Sequence, residues 1–192
     1  MINIAIFASG SGSNAENIIR YFEGNKDITV KLVVSNKPDA LVHSRAKDLA
    51  VESVSFSPAD FREGRKISDY LKEKKIDFVV LAGFLLKISE PILDAYSEKI
   101  INIHPALLPK YGGKGMYGDR VHQAVVEAGE EESGITIHYV NENYDEGDII
   151  FQAACEISPA DTYQDVARKV HELEYEHFPI VIEQVIKRDL IS

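Results

Sequence analysis

Two side chains near the middle of the chain have the types and the spacing for acyl-group chemistry. Asn102 and His104 stand two apart in the run Asn102-Ile103-His104-Pro105. Alternate residues of an extended strand project to one side, so the amide and the imidazole share a space while Ile103 turns into the core. Pro105 keeps His104 out of the helical region. An amide N–H can donate to a developing oxyanion; an imidazolium can donate as well and then deliver a proton. A histidine standing alone is usually structural, but one paired with an asparagine at the end of a strand reads as a catalytic group.

A second constellation is Gly10-Ser11-Gly12-Ser13-Asn14-Ala15. Glycines let the backbone turn tightly and approach an anion, and a helix starting there presents free N–H groups with a favourable dipole. The spacing also satisfies the dinucleotide fingerprint G-x-G-x-x-A, which wants an acidic residue closing the next strand. Ser35-Asn36-Lys37 stands there instead, which argues against NAD. What remains is a phosphate cradle or a plain strand-to-helix turn, and the hydroxyl and amide residues beside the glycines favour phosphate. The third constellation is the acidic turn 141–148, with Glu142, Asp145, Glu146 and Asp148. It is either a solvated hairpin turn or a device that folds one carboxylate, Asp145, back toward the imidazole. In the second case the carboxylate favours protonated His104 and orders an attacking amine or a water. His138 is equally open, since a histidine in a strand can simply face a neighbour.

The elements that must position these groups follow from the apolar pattern. Residues 2–8 form a continuous apolar run that stops at the glycine turn, which predicts a buried strand. Asn14 is placed to cap the following helix, whose inward side carries Ile18, Ile19 and Phe22. Further strands are expected at 29–34, around Val54, at 77–82 and at 99–103, separated by helices at 40–50 and 59–75. A short helix capped by Ser89 runs through Tyr96, with Pro91 in its first turn. Strands apolar on both faces, alternating with helices, call for a doubly wound α/β domain with a mostly parallel sheet. The second half differs: a glycine-rich loop at 111–119, a helix at 121–128, and two paired strands at 134–140 and 148–157. This is an antiparallel hairpin extension. A last helix starts near Thr162, with Val166, Val170, Leu173 and Val181 on one face and a kink expected at Pro179.

The 192 residues are 45% hydrophobic and 27% charged, enough for one well-buried domain and too few for two. A formal net charge of −10 with scattered basic residues argues against nucleic-acid and anionic-membrane partners. The single cysteine, Cys155, allows neither an internal disulfide nor a cysteine-built metal site. No basic leader or apolar run of membrane-spanning length appears, so a cytoplasmic location is expected.

Taken together, Gly10-Ser11-Gly12-Ser13-Asn14, Leu81-Ala82-Gly83-Phe84, the segment from Asn102-Ile103-His104-Pro105 through Ala106-Leu107-Leu108-Pro109-Lys110, and the pair Asp145 and Gly147 resemble the phosphoribosylglycinamide formyltransferase family. These are the folate-dependent transformylases of purine synthesis, and the likeness runs nearly end to end. The resemblance implies a single Rossmann-like formyltransferase domain over 1–192, with a phosphate-binding half (1–104) and a folate- and site-completing half (105–192). It implies transfer of the formyl group of 10-formyltetrahydrofolate to the amine of 5'-phosphoribosylglycinamide, without a metal, by a monomer or weak homodimer.

Residue by residue, the resemblance gives Gly12, Ser13 and Asn14 to the substrate phosphate. It places Asn102 and His104 on the formyl group, with Asp145 supporting the protonated histidine. Leu85, Leu86, Lys87, Ile88 and Val140 line the folate pocket, with Asn102 at its inner end. Glu174 lies near the glycinamide end of the substrate. Either Arg62 or Arg65 touches a ligand. Two departures stand out: Leu86 where the family often has arginine, and a longer, glycine-richer stretch at 112–118. The rival readings are a methionyl-tRNA formyltransferase, disfavoured by the acidic surface, a formyltetrahydrofolate hydrolase, which carries an extra N-terminal domain, and a non-catalytic nucleotide-binding module. The module leaves Asn102, His104 and Asp145 as coincidence; it should bind NAD or a nucleotide and ignore folates.

Overall fold

Strands whose side chains are apolar on both faces must be covered by helices on both faces, and the chain does this with one mixed sheet. The computed structural model describes residues 1–191. Five strands run parallel: β1 (Ile2–Phe7), β2 (Ile28–Ser35), β3 (Glu52–Ser55), β4 (Phe78–Leu81) and β5 (Ile100–His104). Two more, β6 (Glu132–Tyr139) and β7 (Ile149–Glu156), pair antiparallel beyond β5 and complete the seven-stranded order β3-β2-β1-β4-β5-β6-β7. The doubly wound, mostly parallel architecture with an antiparallel extension is therefore the one the apolar alternation predicts.

Among the described residues, seven helices cover the sheet: α1 (Ser13–Tyr21), α2 (Val42–Asp48), α3 (Pro58–Glu63), α4 (Arg65–Glu73), α5 (Glu90–Ala95), α6 (Asp119–Glu127) and α7 (Tyr163–Leu190). One core packs Ile4, Ile6, Ile101 and Ile103 against α1, α2, α6 and α7, through Ile18, Val42, Val125 and Phe178. The other packs Phe7, Leu32 and Val79 under α3, α4 and α5, through Phe61, Ile67, Leu71 and Ile92. None of the helices is long and apolar enough to cross a membrane, among the described residues. The strand order turns round between β1 and β4, and open α/β sheets hold ligands beyond the carboxyl ends of strands at such a point. Ser9 stitches those ends together. Its N–H donates to the Gly83 carbonyl at 3.1 Å, its hydroxyl donates to Asn36 Oδ1 at 2.6 Å, and the same hydroxyl accepts from the Leu85 N–H at 3.0 Å.

Three local details differ from the sequence pattern. The N-cap of α1 is Gly12 rather than Asn14, because a left-handed residue (φ +73°) ends the turn and leaves Asn14 in the first helical turn. Ser89 does occupy the N-cap of α5, but its hydroxyl makes no cap hydrogen bond. The helix expected over 59–75 is two helices, split at Gly64. Gly64 has φ +78°, and a Cβ there would collide with the Ser89 hydroxyl and stand 3.3 Å from Pro91 Cδ. The split is tertiary in origin: α5 packs where the backbone of a continuous helix would carry side chains. Further along, α7 runs as a single helix through the buried Pro179, and a capping box between Thr162 and Asp165 starts it.

A glycine inside an exposed continuous helix gains about 1 kcal/mol when replaced by alanine. Here the sign reverses. Gly64→Ala is expected to destabilise the protein by about 1–3 kcal/mol through left-handed strain and overpacking. Urea unfolding of the variant checks this, and a stabilised variant would contradict the split helix.

Candidate active site

The glycine turn after β1 is shaped by what packs on it. A Cβ at Gly12 would lie 2.8 Å from Val42 Cα, so only glycine lets α2 sit this close. Arg45 holds the turn from the same side, donating from Nε to the Ser11 carbonyl at 2.8 Å and pairing with Glu16. The first intrahelical bond of α1 is donated by Glu16 to Gly12 O, so the N–H groups of Ser13, Asn14 and Ala15 face out of the helix end. That is the arrangement an anion needs. Beside it, Asn14 Nδ2 donates to Glu174 Oε2 at 2.8 Å, linking α1 to α7. His171, one turn before, also reaches Glu174 Oε2 at 2.8 Å, and this bond pushes the His171 imidazole up from its ordinary value. Two polar atoms near this link, Asn14 Oδ1 and His122 Nδ1, are buried without a partner among the described residues.

The second part of the site is built by strand register. Asn102 stands directly opposite His138, and His104 directly opposite Thr136, across the antiparallel β5–β6 pair. All four project to one face, while Ile101, Ile103, Ile135 and Ile137 fill the core on the other. Asn102 Nδ2 lies 3.0 Å from His138 Nε2. His104 Nε2 lies 2.7 Å from the Tyr111 carbonyl, and a carbonyl can only accept, so this nitrogen carries the hydrogen. The nitrogen of His104 left with a free lone pair is therefore Nδ1. It faces Asp145 Oδ2 at 3.5 Å, and Asp145 Oδ1 in turn is 3.6 Å from His138 Nε2.

Asp145 arrives from the turn between β6 and β7 in a left-handed conformation (φ +56°), a geometry aspartate tolerates better than most residues. Its Oδ2 accepts from the Gly113 N–H at 2.9 Å. The same glycine-rich loop thus fixes His104 through Tyr111 and Asp145 through Gly113. The loop start is clamped by a buried network. Thr136 Oγ1 donates to the Ala106 carbonyl at 2.7 Å and accepts from the Leu108 N–H at 2.9 Å and from Gln152 at 2.9 Å.

Burial sets the charge states. His104 is 4% exposed. Burial pushes its pKa below the ordinary 6.5, and the opposing pull of the Asp145 carboxylate and of the Tyr111 carbonyl does not restore it. The carboxylate does favour the imidazolium, as the sequence suggests, but desolvation outweighs it and the resting ring is neutral at pH 7. Burial pushes Asp145 up; the facing His138 and His104 rings and the Gly113 N–H pull it further down, so the net direction is below the ordinary value and it stays ionised.

A cavity of about 1310 Å³ opens against Val140 and the turn that follows it, and its lining includes none of Asn102, His104, His138 and Asp145. Its walls include Phe61, Leu86, Ile88, Leu93 and Val140, with Arg62, Lys87 and Asn141 as polar groups. Most ligand pockets span roughly 300–1,000 Å³, so a long molecule fits. Leu85 is not on this wall; its N–H is taken by Ser9 and its side chain is exposed. The two arginines separate at the Gly64 break. Arg62, on α3, faces this cavity, whereas Arg65, on α4, faces a different groove with Phe56 and Tyr70.

The formyl transferase family model matches residues 2–182. The chain is 40% identical over 191 residues to the phosphoribosylglycinamide formyltransferase of Bacillus subtilis (strain 168), covering 97% of this chain and 95% of that protein. The chain belongs to the phosphoribosylglycinamide formyltransferase family. It is also 37% identical over 187 residues to the Haemophilus influenzae phosphoribosylglycinamide formyltransferase, covering 95% of this chain and 86% of the relative. The solved phosphoribosylglycinamide formyltransferase of Bacillus halodurans superposes with a TM-score of 0.89 at 34% identity, over 99% of this chain and 97% of that one.

Of the residues that the formyltransferase likeness singles out, Asn102, His104 and Asp145 converge. Gly12, Ser13, Asn14 and Glu174 form a second group, and Arg62, Leu86, Lys87, Ile88 and Val140 a third. His138 is the residue the sequence leaves undecided that the structure draws in. Its signal is two polar residues, Thr136 and His138, alternating with Ile135 and Ile137 on one strand. The charge balance at His104 is open to measurement. An NMR titration is expected to give a midpoint below 6.5, moving lower still in Asp145→Asn because the carboxylate that favours the imidazolium is gone. A midpoint above the ordinary value, or an upward move in the variant, contradicts that balance.

Proposed function

We propose that this protein transfers the formyl group of 10-formyltetrahydrofolate to the amine of 5'-phosphoribosylglycinamide. One observation carries the reading: a neutral histidine and an asparagine amide share one strand face with an ionised aspartate beside them, and the turn that brings the aspartate also walls a long, partly apolar cavity. The N–H groups of Gly12, Ser13 and Asn14 take the phosphate of the amine substrate, whose body runs past Glu174 toward its glycinamide end. Arg62, Leu86, Lys87, Ile88 and Val140 hold the folate, which supplies the formyl group. Asn102 meets the formyl-bearing end of the bound folate.

The residues then divide the work. Asn102 donates an N–H to the formyl oxygen as charge grows on it. His104 Nδ1, unprotonated at rest, accepts the proton that the attacking amine must lose. The resulting imidazolium is stabilised by the Asp145 carboxylate and returns the proton to the departing folate nitrogen. The new amide bond forms as the old carbon–nitrogen bond breaks, and the protein keeps no net proton. Holding both substrates side by side contributes the rest, since well-oriented reactants gain several kcal/mol over free encounter.

Formyl transfer, followed by folate absorbance with the two substrates, tests the reading. Asn102→Ala, His104→Ala and Asp145→Ala are each expected to lower kcat by about 10²- to 10⁴-fold, and near wild-type rates in all three would end the assignment. In the same assay Arg62→Ala should raise KM for the folate about tenfold, the loss of one charge-assisted contact. Arg65→Ala should leave it unchanged; the reverse pattern would move the folate to the other groove.

A further inference from the structure

An asparagine amide has a donating end and an accepting end of nearly equal shape, and only the donating end can serve an oxyanion. Something must therefore decide which way Asn102 faces. His138 is 2% exposed and sits directly across the β5–β6 ladder from it. The Nδ1 of His138 lies 2.7 Å from the Tyr139 carbonyl. Because a carbonyl only accepts, Nδ1 holds the ring hydrogen, and in the neutral ring Nε2 offers only a lone pair. Nε2 is 3.0 Å from Asn102 Nδ2. If the amide were reversed, its oxygen would face that lone pair with no hydrogen between them, and a buried acceptor would be left unpaired. The ladder therefore reads from backbone carbonyl to ring to amide, each group setting the polarity of the next. Asp145 Oδ1 is the other neighbour of Nε2, but at 3.6 Å it is too far to be the hydrogen-bond partner.

We propose that His138 is a positioning residue that acts through Asn102: held in its Nδ1–H form by the Tyr139 carbonyl, it locks the amide with an N–H, rather than the oxygen, available to the reacting carbonyl. This role rests on the formyl-transfer reading above. It assigns His138 no contact with substrate. It also separates His138 from His104, whose ring is fixed in the opposite tautomer, Nε2–H, by a different carbonyl and whose free Nδ1 moves a proton.

A double-mutant cycle measured by formyl transfer tests the role. His138→Leu, which keeps the bulk and removes the acceptor, is expected to lower kcat about 10- to 100-fold with KM for both substrates unchanged. In an Asn102→Ala background the same change should cost less than about twofold, since there is no amide left to orient. His138→Gln, whose side-chain oxygen can accept the same hydrogen bond, should recover most of the loss. Equal costs in both backgrounds, or a folded His138→Gln as impaired as the leucine variant, overturn the proposal. The wild-type protein gives an independent check, because ¹⁵N shifts of the His138 ring distinguish the two tautomers; a neutral ring protonated at Nε2 overturns it as well. A wild-type protein that transfers no formyl group would instead sink the reading on which the role depends.

Discussion

The register of β5 against β6 is the constraint on which the site depends. With Asn102 opposite His138 and His104 opposite Thr136, four polar side chains share one face and four isoleucines share the other. A slip of one residue would exchange the two sets, turning the isoleucines into the polar site and the amide and imidazoles into the apolar core. The apolar pattern that stabilises the fold is therefore the same pattern that aims the reactive groups. Every later element of the site, including the loop that carries Tyr111 and the turn that carries Asp145, is hung on these two strands.

The centre is built from backbone as much as from side chains. The Tyr111 carbonyl, the Tyr139 carbonyl and the Gly113 N–H each fix one titratable or polar group of the site. Carbonyls cannot change their role with pH, so they hold a tautomer more firmly than a side chain would. Burial then does what the carboxylate alone would prevent. It keeps His104 uncharged at rest, so that the ring is free to accept a proton at Nδ1.

The strands and the doubly wound layering were legible because each parallel strand is apolar on both faces, a pattern few other structures satisfy. The pairing of Asn102 with His104 was legible from a spacing of two residues. The break at Gly64 was not, because a lone glycine within a helical pattern is tolerated and the reason for this one lies on α5, at Ser89 and Pro91. That miss is also why Arg62 and Arg65 could not be told apart: on one helix they are equivalent candidates, on two helices they face different grooves. Asp145 and His138 needed the register, which no single segment contains. The reach of Asp145 to His104 depends on a turn conformation at φ +56°, and sequence alone left that turn open between two readings.

The hydrogen bond between Asn14 and Glu174 joins residues 160 positions apart. A chain emerging from the ribosome can fold β1, the glycine turn and α1 early, since domains form in order as sequence becomes available. The cradle stays open on one side until α7 has been synthesised and docked against α1. A nascent chain is thus kept from completing this contact ahead of its core, since α1 must wait for a partner from a distant stretch of sequence.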